Sequence, residues 1–300
     1  MASRKILLVI ADSSQTGAPV QVSCLAKALG SEFEIACLCP TGWLTHELAN
    51  EGVKTFELPK TGRTAQAKSL ASTMASFQPD IVHAHGVRAG LVAGRIFRKH
   101  QSCRLIYTEH LWTADYSLKN PLRQFAQLYL LRQMAKRAEK VVAVSHAVAD
   151  FLVSKKIVPS AKCQVIYNAI DPVESITPNS QPVIGTLGSL NALKGNGLLL
   201  RACQLLIKTW PDLKIRLAGD GPERTSLETL AGRLGLGNRV EFLGADSSDH
   251  RQFFASLKVF VQPSYSESFG LAPLEAMAAG LPVVVSGAGA LPELITDGPP

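Results

Sequence analysis

The sequence has 300 residues, 46% of them hydrophobic and 18% charged, which excludes a disordered chain and suffices for two α/β domains. Its apolar runs fall short of the ~20 residues that cross a bilayer, and the N-terminal run is too short for a signal peptide, so a cytoplasmic protein is expected. The net charge of +7 is uneven: residues 1–174 carry 21 Lys and Arg against 13 Asp and Glu, whereas residues 175–300 carry 10 against 11. This asymmetry predicts an anionic partner for the first half.

Short apolar runs alternate with helical patterns along the first half of the chain. The strands predicted there are 5–10, 34–38, 81–83, 105–107, 141–144 and 164–166. A helix at 20–29 follows the first strand after a turn that contains glycine. This order predicts a parallel sheet with helices on both faces.

The alternation stops in a segment rich in proline and small polar residues and then restarts. We therefore predict a first domain at 1–172, a linker at 173–182 and a second domain at 183–300. The second domain is predicted to contain strands at 183–187, 214–218, 240–243, 259–261 and 282–285, and helices near 197–207, 224–234 and 272–279. Two such sheets leave a cleft, and ligands of parallel sheets bind at the carboxyl ends of the strands.

The segment 263–285 contains the strongest chemical signal. A polar loop joins a predicted strand to a helix that begins near Leu271, with Pro273 in its first turn. The amides and positive dipole at such a helix start suit a phosphate. Glu267 and Glu275 would repel a phosphate on contact, but they suit hydroxyls on either side of one, as a nucleotide sugar offers. The residues alone leave a capped helix with solvated acids as the alternative.

This segment resembles the Glu-x7-Glu signature of the retaining glycosyltransferases of family 4, P-S-x-x-E-x-F-G-x-x-x-x-E-A-M-A-x-G-x-P-V-V, and matches each fixed position. The resemblance implies the GT-B fold, an α/β architecture of two facing Rossmann-like domains with parallel sheets and an interdomain cleft. It also implies that Glu267 binds hydroxyls of the donor sugar and that Glu275 binds the ribose. The backbone expected to face the diphosphate is that of Ser268, Phe269, Gly270 and Leu271.

Three further segments match this family in order. Residues 188–195 resemble G-R-L-x-x-x-K-G, which implies that Lys194 holds the donor phosphates, although Ser189 stands where the family has a second cation. The turn at 14–19 takes the place of the family's glycine-rich loop, so Gly17 is expected near the donor phosphate. Residues 107–110 resemble the T-x-H segment, which implies that His110 lies near the reacting sugar. Without the resemblance, these residues read as a surface lysine, a simple turn and a structural histidine.

Metal or redox chemistry is not predicted. His83 and His85 lie on one side of an extended segment, but no acidic or cysteine partner is spaced to complete a metal site. The six cysteines form no C-x-x-C pair. We therefore expect no metal and no cofactor apart from the nucleoside diphosphate sugar itself.

A basic helix is predicted in the first half. Arg132, Lys136 and Lys140 are spaced four apart, and the basic residues Lys119, Arg123 and Arg137 lie nearby. The apolar side of this helix is expected to consist of Leu118, Leu122, Phe125 and Tyr129. Such a helix could face anionic lipid headgroups, or it could be a solvated basic face. The chain carries no nucleic-acid-binding signature.

The prediction is thus a retaining hexosyltransferase with His110, Lys194 and Glu267 in catalysis and no side-chain nucleophile. It moves a sugar from a nucleoside diphosphate sugar to a hydroxyl of a carbohydrate or lipid-linked acceptor, such as a polysaccharide precursor, and is peripheral on the inner membrane face. One alternative is a nucleotide-sugar 2-epimerase on the same fold. The other is a catalytically impaired donor-binding protein, favoured by Ser189 and by an end at Pro300 that precedes the last helices of the family.

Overall fold

The computed structural model describes residues 4–97, 103–110, 121–172, 174–245 and 250–295. The chain forms two compact units, Met1–Ala169 and Ile170–Pro300. Residues 174–182 contain neither helix nor strand and belong to the second unit. The predicted boundary at residue 172 and the linker at 173–182 stay predictions.

The first unit is built on a parallel sheet of seven strands in the order β3-β2-β1-β4-β5-β6-β7. The strands are β1 (Lys5–Ile10), β2 (Glu34–Cys39), β3 (Lys54–Glu57), β4 (Ile81–His85), β5 (Arg104–Glu109), β6 (Lys140–Ala143) and β7 (Cys163–Val165). The helices are α1 (Gly17–Leu29), α2 (Trp43–Asn50), α3 (Arg63–Phe77), α4 (Gly86–Ile96), α5 (Pro121–Arg137) and α6 (His146–Ser154).

The central position of β1 explains why each of its residues after Lys5 is apolar. It pairs with β2 on one side and β4 on the other, and Leu7, Leu8 and Val9 are fully buried. A parallel strand covered on both faces has no polar side, so apolar residues do not alternate with polar ones. The edge strand β3 is mostly exposed and its sequence is mixed, and it was not predicted.

The second unit is built on a five-stranded parallel sheet in the order β10-β9-β8-β11-β12. The strands are β8 (Val183–Leu187), β9 (Lys214–Ala218), β10 (Val240–Gly244), β11 (Val259–Gln262) and β12 (Val283–Val285). The helices are α7 (Asn196–Leu206), α8 (Arg224–Arg233), α9 (His250–Ala255), α10 (Leu271–Ala278) and α11 (Leu291–Leu294). A 3-10 turn at Ala192–Lys194 precedes α7. Separate apolar clusters centred on Ile215 and on Phe254 lie against this sheet.

The basic-helix prediction is wrong for Lys140, which is the first residue of β6 and not part of α5. The helical spacing continues past Arg137, but Glu139 already donates its N–H to the Leu105 carbonyl and so draws the chain into the sheet. Leu118 and Lys119 lie outside the described residues, as does the side chain of Arg123.

The exposed surface of α5 is not the basic face that the sequence predicted. Arg132 donates to the carbonyl of Lys155, and Arg137 donates to that of Gly94, so both cations turn back onto the protein. Leu122, Phe125 and Tyr129 instead keep 79%, 66% and 51% of their surface exposed. Within the described residues, no helix combines the length and apolarity needed to cross a membrane.

Candidate functional site

The loop after β11 and the start of α10 lie where the sequence predicts a phosphate-binding terminus. Ser268, Phe269 and Gly270 precede the helix, and Leu271 is its first residue. Gly270, with a φ of 102°, is the N-cap and offers no side chain to cap the helix, and the first turn of α10 holds no acidic residue. The amides of a helix start and its positive dipole end suit an external anion.

Lys194 and Glu267 form an ion pair beside this terminus. Lys194 Nζ lies 2.6 Å from Glu267 Oε2, and the two side chains are 25% and 14% exposed. The Ser264 hydroxyl donates to the same oxygen at 3.3 Å and accepts from the Gln262 amide at 2.8 Å. From the sequence we predicted separate tasks for Lys194 and Glu267, whereas the structure brings their side chains into direct contact.

A glycine allows this contact. Gly195 has a φ of 66°, and a Cβ placed on it would lie 2.0 Å from the carbonyl oxygen of Pro263. Two residues away on each segment, Tyr265 donates its N–H to the Leu193 carbonyl at 2.7 Å. The turn that carries Lys194 therefore packs backbone against backbone on the loop that carries Glu267. Ser189, at the position of the family's second cation, is exposed.

Glu275 lies in α10 and is paired with a residue that the sequence reasoning missed. His250 Nδ1, at the start of α9, lies 2.9 Å from Glu275 Oε2. The histidine is 40% exposed and the glutamate 18%. The partners are 25 positions apart on two helices, and no local spacing in the sequence connects them.

Three histidines of the first unit meet at the carboxyl ends of β4 and β5. His83 Nε2 lies 2.7 Å from Thr108 Oγ1, and His85 Nδ1 lies 3.2 Å from His110 Nε2. Burial lowers the pKa of His83 from 6.5 to about 4 and that of His110 to about 3, and it also lowers the pKa of His85. All three rings are therefore neutral near pH 7. Among the described residues, no group of three His, Cys, Asp or Glu could hold a metal ion.

Glu109, a second residue that sequence reasoning missed, fixes the backbone at His110. This fully buried carboxylate accepts from the Tyr107 hydroxyl at 2.5 Å and from the His110 N–H at 2.9 Å. Burial and the Glu109 charge raise the pKa of Tyr107, which keeps the phenol protonated as a donor. A polar residue at the end of an apolar strand was the available signal.

Gly17 is the first residue of α1, after a loop organised by Asp12. The Asp12 carboxylate accepts from the Ser14 N–H at 3.1 Å and from the Ser14 hydroxyl at 2.8 Å. Thr16, the N-cap, makes no side-chain cap. Asp12 therefore places negative charge before α1, as Glu267 does before α10, and neither helix has an acidic residue in its first turn.

Comparison with known proteins covers both units. A family model described as Glycosyltransferase Family 4 matches residues 16–174, and one described as Glycosyl transferases group 1 matches residues 169–299. D-inositol 3-phosphate glycosyltransferase of Mycobacterium sp. (strain JLS) is 30% identical over 279 residues, which cover 83% of this chain and 61% of the relative. The protein of that name from Mycobacterium marinum is also 30% identical over 279 residues, covering 83% of this chain and 57% of the relative. The chain thus spans about three fifths of the length of these relatives.

Solved structures share the fold. Anabaena HepE in complex with UDP and glucose superposes with a TM-score of 0.81 at 23% identity, over 98% of this chain and 84% of that one. Sucrose-phosphate synthase from Thermosynechococcus elongatus also has a TM-score of 0.81, at 19% identity and with the same coverage. The predicted class, two Rossmann-like units with parallel sheets, is confirmed.

Proposed function

Because the chain belongs to glycosyltransferase family 4, we propose that it transfers a sugar from a nucleoside diphosphate sugar to an acceptor hydroxyl with retention of configuration. The observation that carries this proposal is the Lys194–Glu267 pair beside the start of α10, whose N-cap is a glycine. Both matching family models describe transferases, which favours transfer over 2-epimerisation of the nucleotide sugar.

In the proposed donor complex, the diphosphate binds Lys194 and the backbone amides between Ser268 and Leu271. A fixed cation and a helix start both stabilise the charge that develops on a departing diphosphate. Glu267, released from Lys194, then accepts hydrogen bonds from sugar hydroxyls while Ser264 keeps its own contact. The HepE structure, a complex with UDP and glucose, supports this class of donor.

Glu275 is proposed to bind the ribose. A carboxylate has two acceptor oxygens and can receive both ribose hydroxyls. His250 contacts only one of these oxygens in the recorded geometry and would hold the carboxylate in a defined rotamer. Recognition of the sugar and the ribose is thereby divided between two glutamates.

The proposed chemistry needs no side-chain nucleophile and no metal. The leaving diphosphate accepts the acceptor proton on the same face as attack, and Lys194 offsets its charge. His110, neutral near pH 7 because burial lowers its pKa to about 3, donates a hydrogen bond to a sugar hydroxyl of the donor or the acceptor. The backbone at Gly17, at the start of α1, is proposed to approach the donor phosphate closely.

A basic cavity in the first unit supports an acceptor that carries phosphate. Lys60, Arg63 and Arg88 line a cavity of about 230 Å³ whose described lining contains no acidic residue. That volume is small for a drug-sized ligand and suits a compact charged group. The name of the relatives, D-inositol 3-phosphate glycosyltransferase, includes a phosphorylated compound. A lipid-linked or carbohydrate phosphate acceptor is the corresponding proposal here.

The exposed apolar side of α5 supports contact with a membrane surface from the cytoplasmic side. Leu122, Phe125 and Tyr129 follow one another at three- and four-residue spacing, and Lys136 is exposed near the end of the helix. Flotation with vesicles of anionic phospholipid tests this directly. A Phe125→Ser variant should lose the association, and retention of full binding by this variant would contradict it.

Calorimetric titration with UDP, GDP and ADP tests the proposed donor site. One of them should bind, and Lys194→Met should weaken it while Lys208→Met, at an exposed lysine of the same unit, should not. Binding of none of the three would refute the proposal. Release of free nucleoside diphosphate that depends on acceptor, without an epimerised sugar, separates transfer from 2-epimerisation. An increase in turnover in Ser189→Arg would show that the missing cation limits catalysis.

A further inference from the structure

We propose that His85 is a positioning residue that donates its Nδ1–H to His110 Nε2 and so fixes His110 as the tautomer with its proton on Nδ1. The two nitrogens are 3.2 Å apart, and the rings stack at an interplanar angle of 26°. His85 and His110 are 4% and 7% exposed. The contact therefore lies away from water, where a defined proton position has energetic consequences.

The two rings share one proton in this contact. Burial lowers the pKa of both histidines, so each ring is neutral near pH 7 and carries a single N–H. A hydrogen bond between the two nitrogens needs one donor and one acceptor. Either His85 donates from Nδ1 and His110 accepts at Nε2, or the roles are reversed.

The other nitrogen of His85 decides between these arrangements. Within the described part of the chain, His85 Nε2 is buried and has no hydrogen-bond partner. If His85 accepted at Nδ1, its proton would lie on Nε2 as a buried donor without an acceptor among the described residues, which is energetically costly. An empty acceptor lone pair at the same place is better tolerated than an orphaned N–H. His85 therefore carries its proton on Nδ1.

The neighbouring polar groups do not change this assignment. His83, whose ring centroid lies 4.1 Å from that of His85, directs its Nε2 to Thr108 Oγ1. Glu109 receives the Tyr107 hydroxyl and the His110 backbone N–H. Neither contact involves an imidazole nitrogen of His85 or His110.

As a consequence, His110 can act toward a ligand only as a hydrogen-bond donor. Its Nε2 is occupied as an acceptor, and Nδ1–H remains as a donor for an oxygen of a ligand. His110 in this state donates hydrogen bonds and takes no proton from a substrate. Its use on a sugar hydroxyl rests on the proposed function, whereas the tautomer and the role of His85 do not.

Long-range proton–nitrogen correlation spectra of the 15N-labelled protein at pH 7.5 test the tautomer without any substrate. The His110 signals, assigned by their loss in His110→Gln, should show the proton on Nδ1. In His85→Leu the His110 signals should move toward the Nε2-protonated form. In His85→Asn, whose side-chain amide offers a donor near the position of Nδ1, they should return. His146→Gln, at an exposed ring, should leave them unchanged.

A wild-type His110 that carries its proton on Nε2 would overturn the proposal, even if every His85 variant failed to fold. Unchanged His110 signals in a folded His85→Leu protein would also overturn it. In a turnover assay, His85→Leu should lower kcat at least about tenfold with an unchanged KM for the donor, and Asn should restore it. A correct tautomer with no effect on turnover would count against the proposed role of His110 in transfer, not against the assignment of His85.

Discussion

Replacing Gly195 by alanine should both destabilise the second unit and disrupt the Lys194–Glu267 contact. Gly195 has a φ of 66°, a conformation that costs an alanine about 1–2 kcal/mol. The added Cβ would also lie 2.0 Å from the carbonyl oxygen of Pro263. Relief of that overlap requires the two backbones to separate, which adds about 1–3 kcal/mol. We expect a total loss of about 2–5 kcal/mol from the free energy of unfolding.

Gly197→Ala provides a matched control two positions away. Gly197 lies in α7, and a Cβ there would meet only Leu230 Cδ2, at 3.5 Å, which is an ordinary contact. Alanine in a helix is favoured over glycine by about 0.5–1 kcal/mol, so this variant should be slightly more stable than the wild type. The same mutation thus has opposite signs at neighbouring positions.

Urea unfolding read by pulsed hydrogen exchange in peptides from β8 and β11 measures the second unit separately from the first. A free energy of unfolding for Gly195→Ala within about 0.5 kcal/mol of the wild-type value would refute the close packing of the two loops. Calorimetry with the bound nucleotide then shows whether displacement of Lys194 lowers affinity, as it should in Gly195→Ala and not in Gly197→Ala.

Three further outcomes are expected. Lys194→Met should weaken nucleoside diphosphate about 10- to 100-fold and leave the affinity for the nucleoside alone unchanged in calorimetry, because the lost contact is to phosphate; an equal loss for both ligands would contradict this role. His250→Leu should weaken the nucleoside and the diphosphate by the same few-fold factor, since Glu275 loses its positioning partner; a loss confined to the diphosphate would argue against ribose binding there. Burial lowers the pKa of His83 from 6.5 to about 4, so the unfolded chain takes up a proton on acidification that the folded chain does not, and stability falls as pH drops from 6.5 toward 4, by about 2 kcal/mol at pH 5. Urea unfolding measures this: the free energy of unfolding should change less with pH in His83→Gln than in His146→Gln. Equal pH dependence in the two variants would refute the lowered pKa of His83.

The sequence was most informative where local physics decides the structure. The bounds of β1, β8 and β9 were predicted without error because apolar residues make up most of each of these parallel strands. The start of α10 followed from Pro273, whose fixed φ suits a first turn. Because the start of α10 was predicted, Glu267 was placed correctly in the loop before it and Glu275 within the helix.

Contacts between distant segments were beyond such reasoning. The approach of Lys194 to Glu267 depends on a backbone packing that spans 73 positions, and His250 reaches Glu275 from a six-residue helix that was not predicted. Lys140 continued a helical spacing, but pairing with β5 placed it in a strand. The division of labour among His83, His85 and His110 depends on sheet register, which joins residues 25 positions apart.

The Lys194–Glu267 pair makes the empty site carry its own counter-ion. On the proposed function, a small free phosphate that enters can take Lys194, but it leaves Glu267 partly buried with only the Ser264 hydroxyl recorded beside it. A ligand that presents a diphosphate and sugar hydroxyls together satisfies both halves at once. A diphosphate without a sugar can still bind Lys194, but it leaves Glu267 without its cation and so binds more weakly than the intact donor. On the proposed function, the pair therefore raises the affinity for the intact donor relative to inorganic phosphate and to the free nucleoside diphosphate.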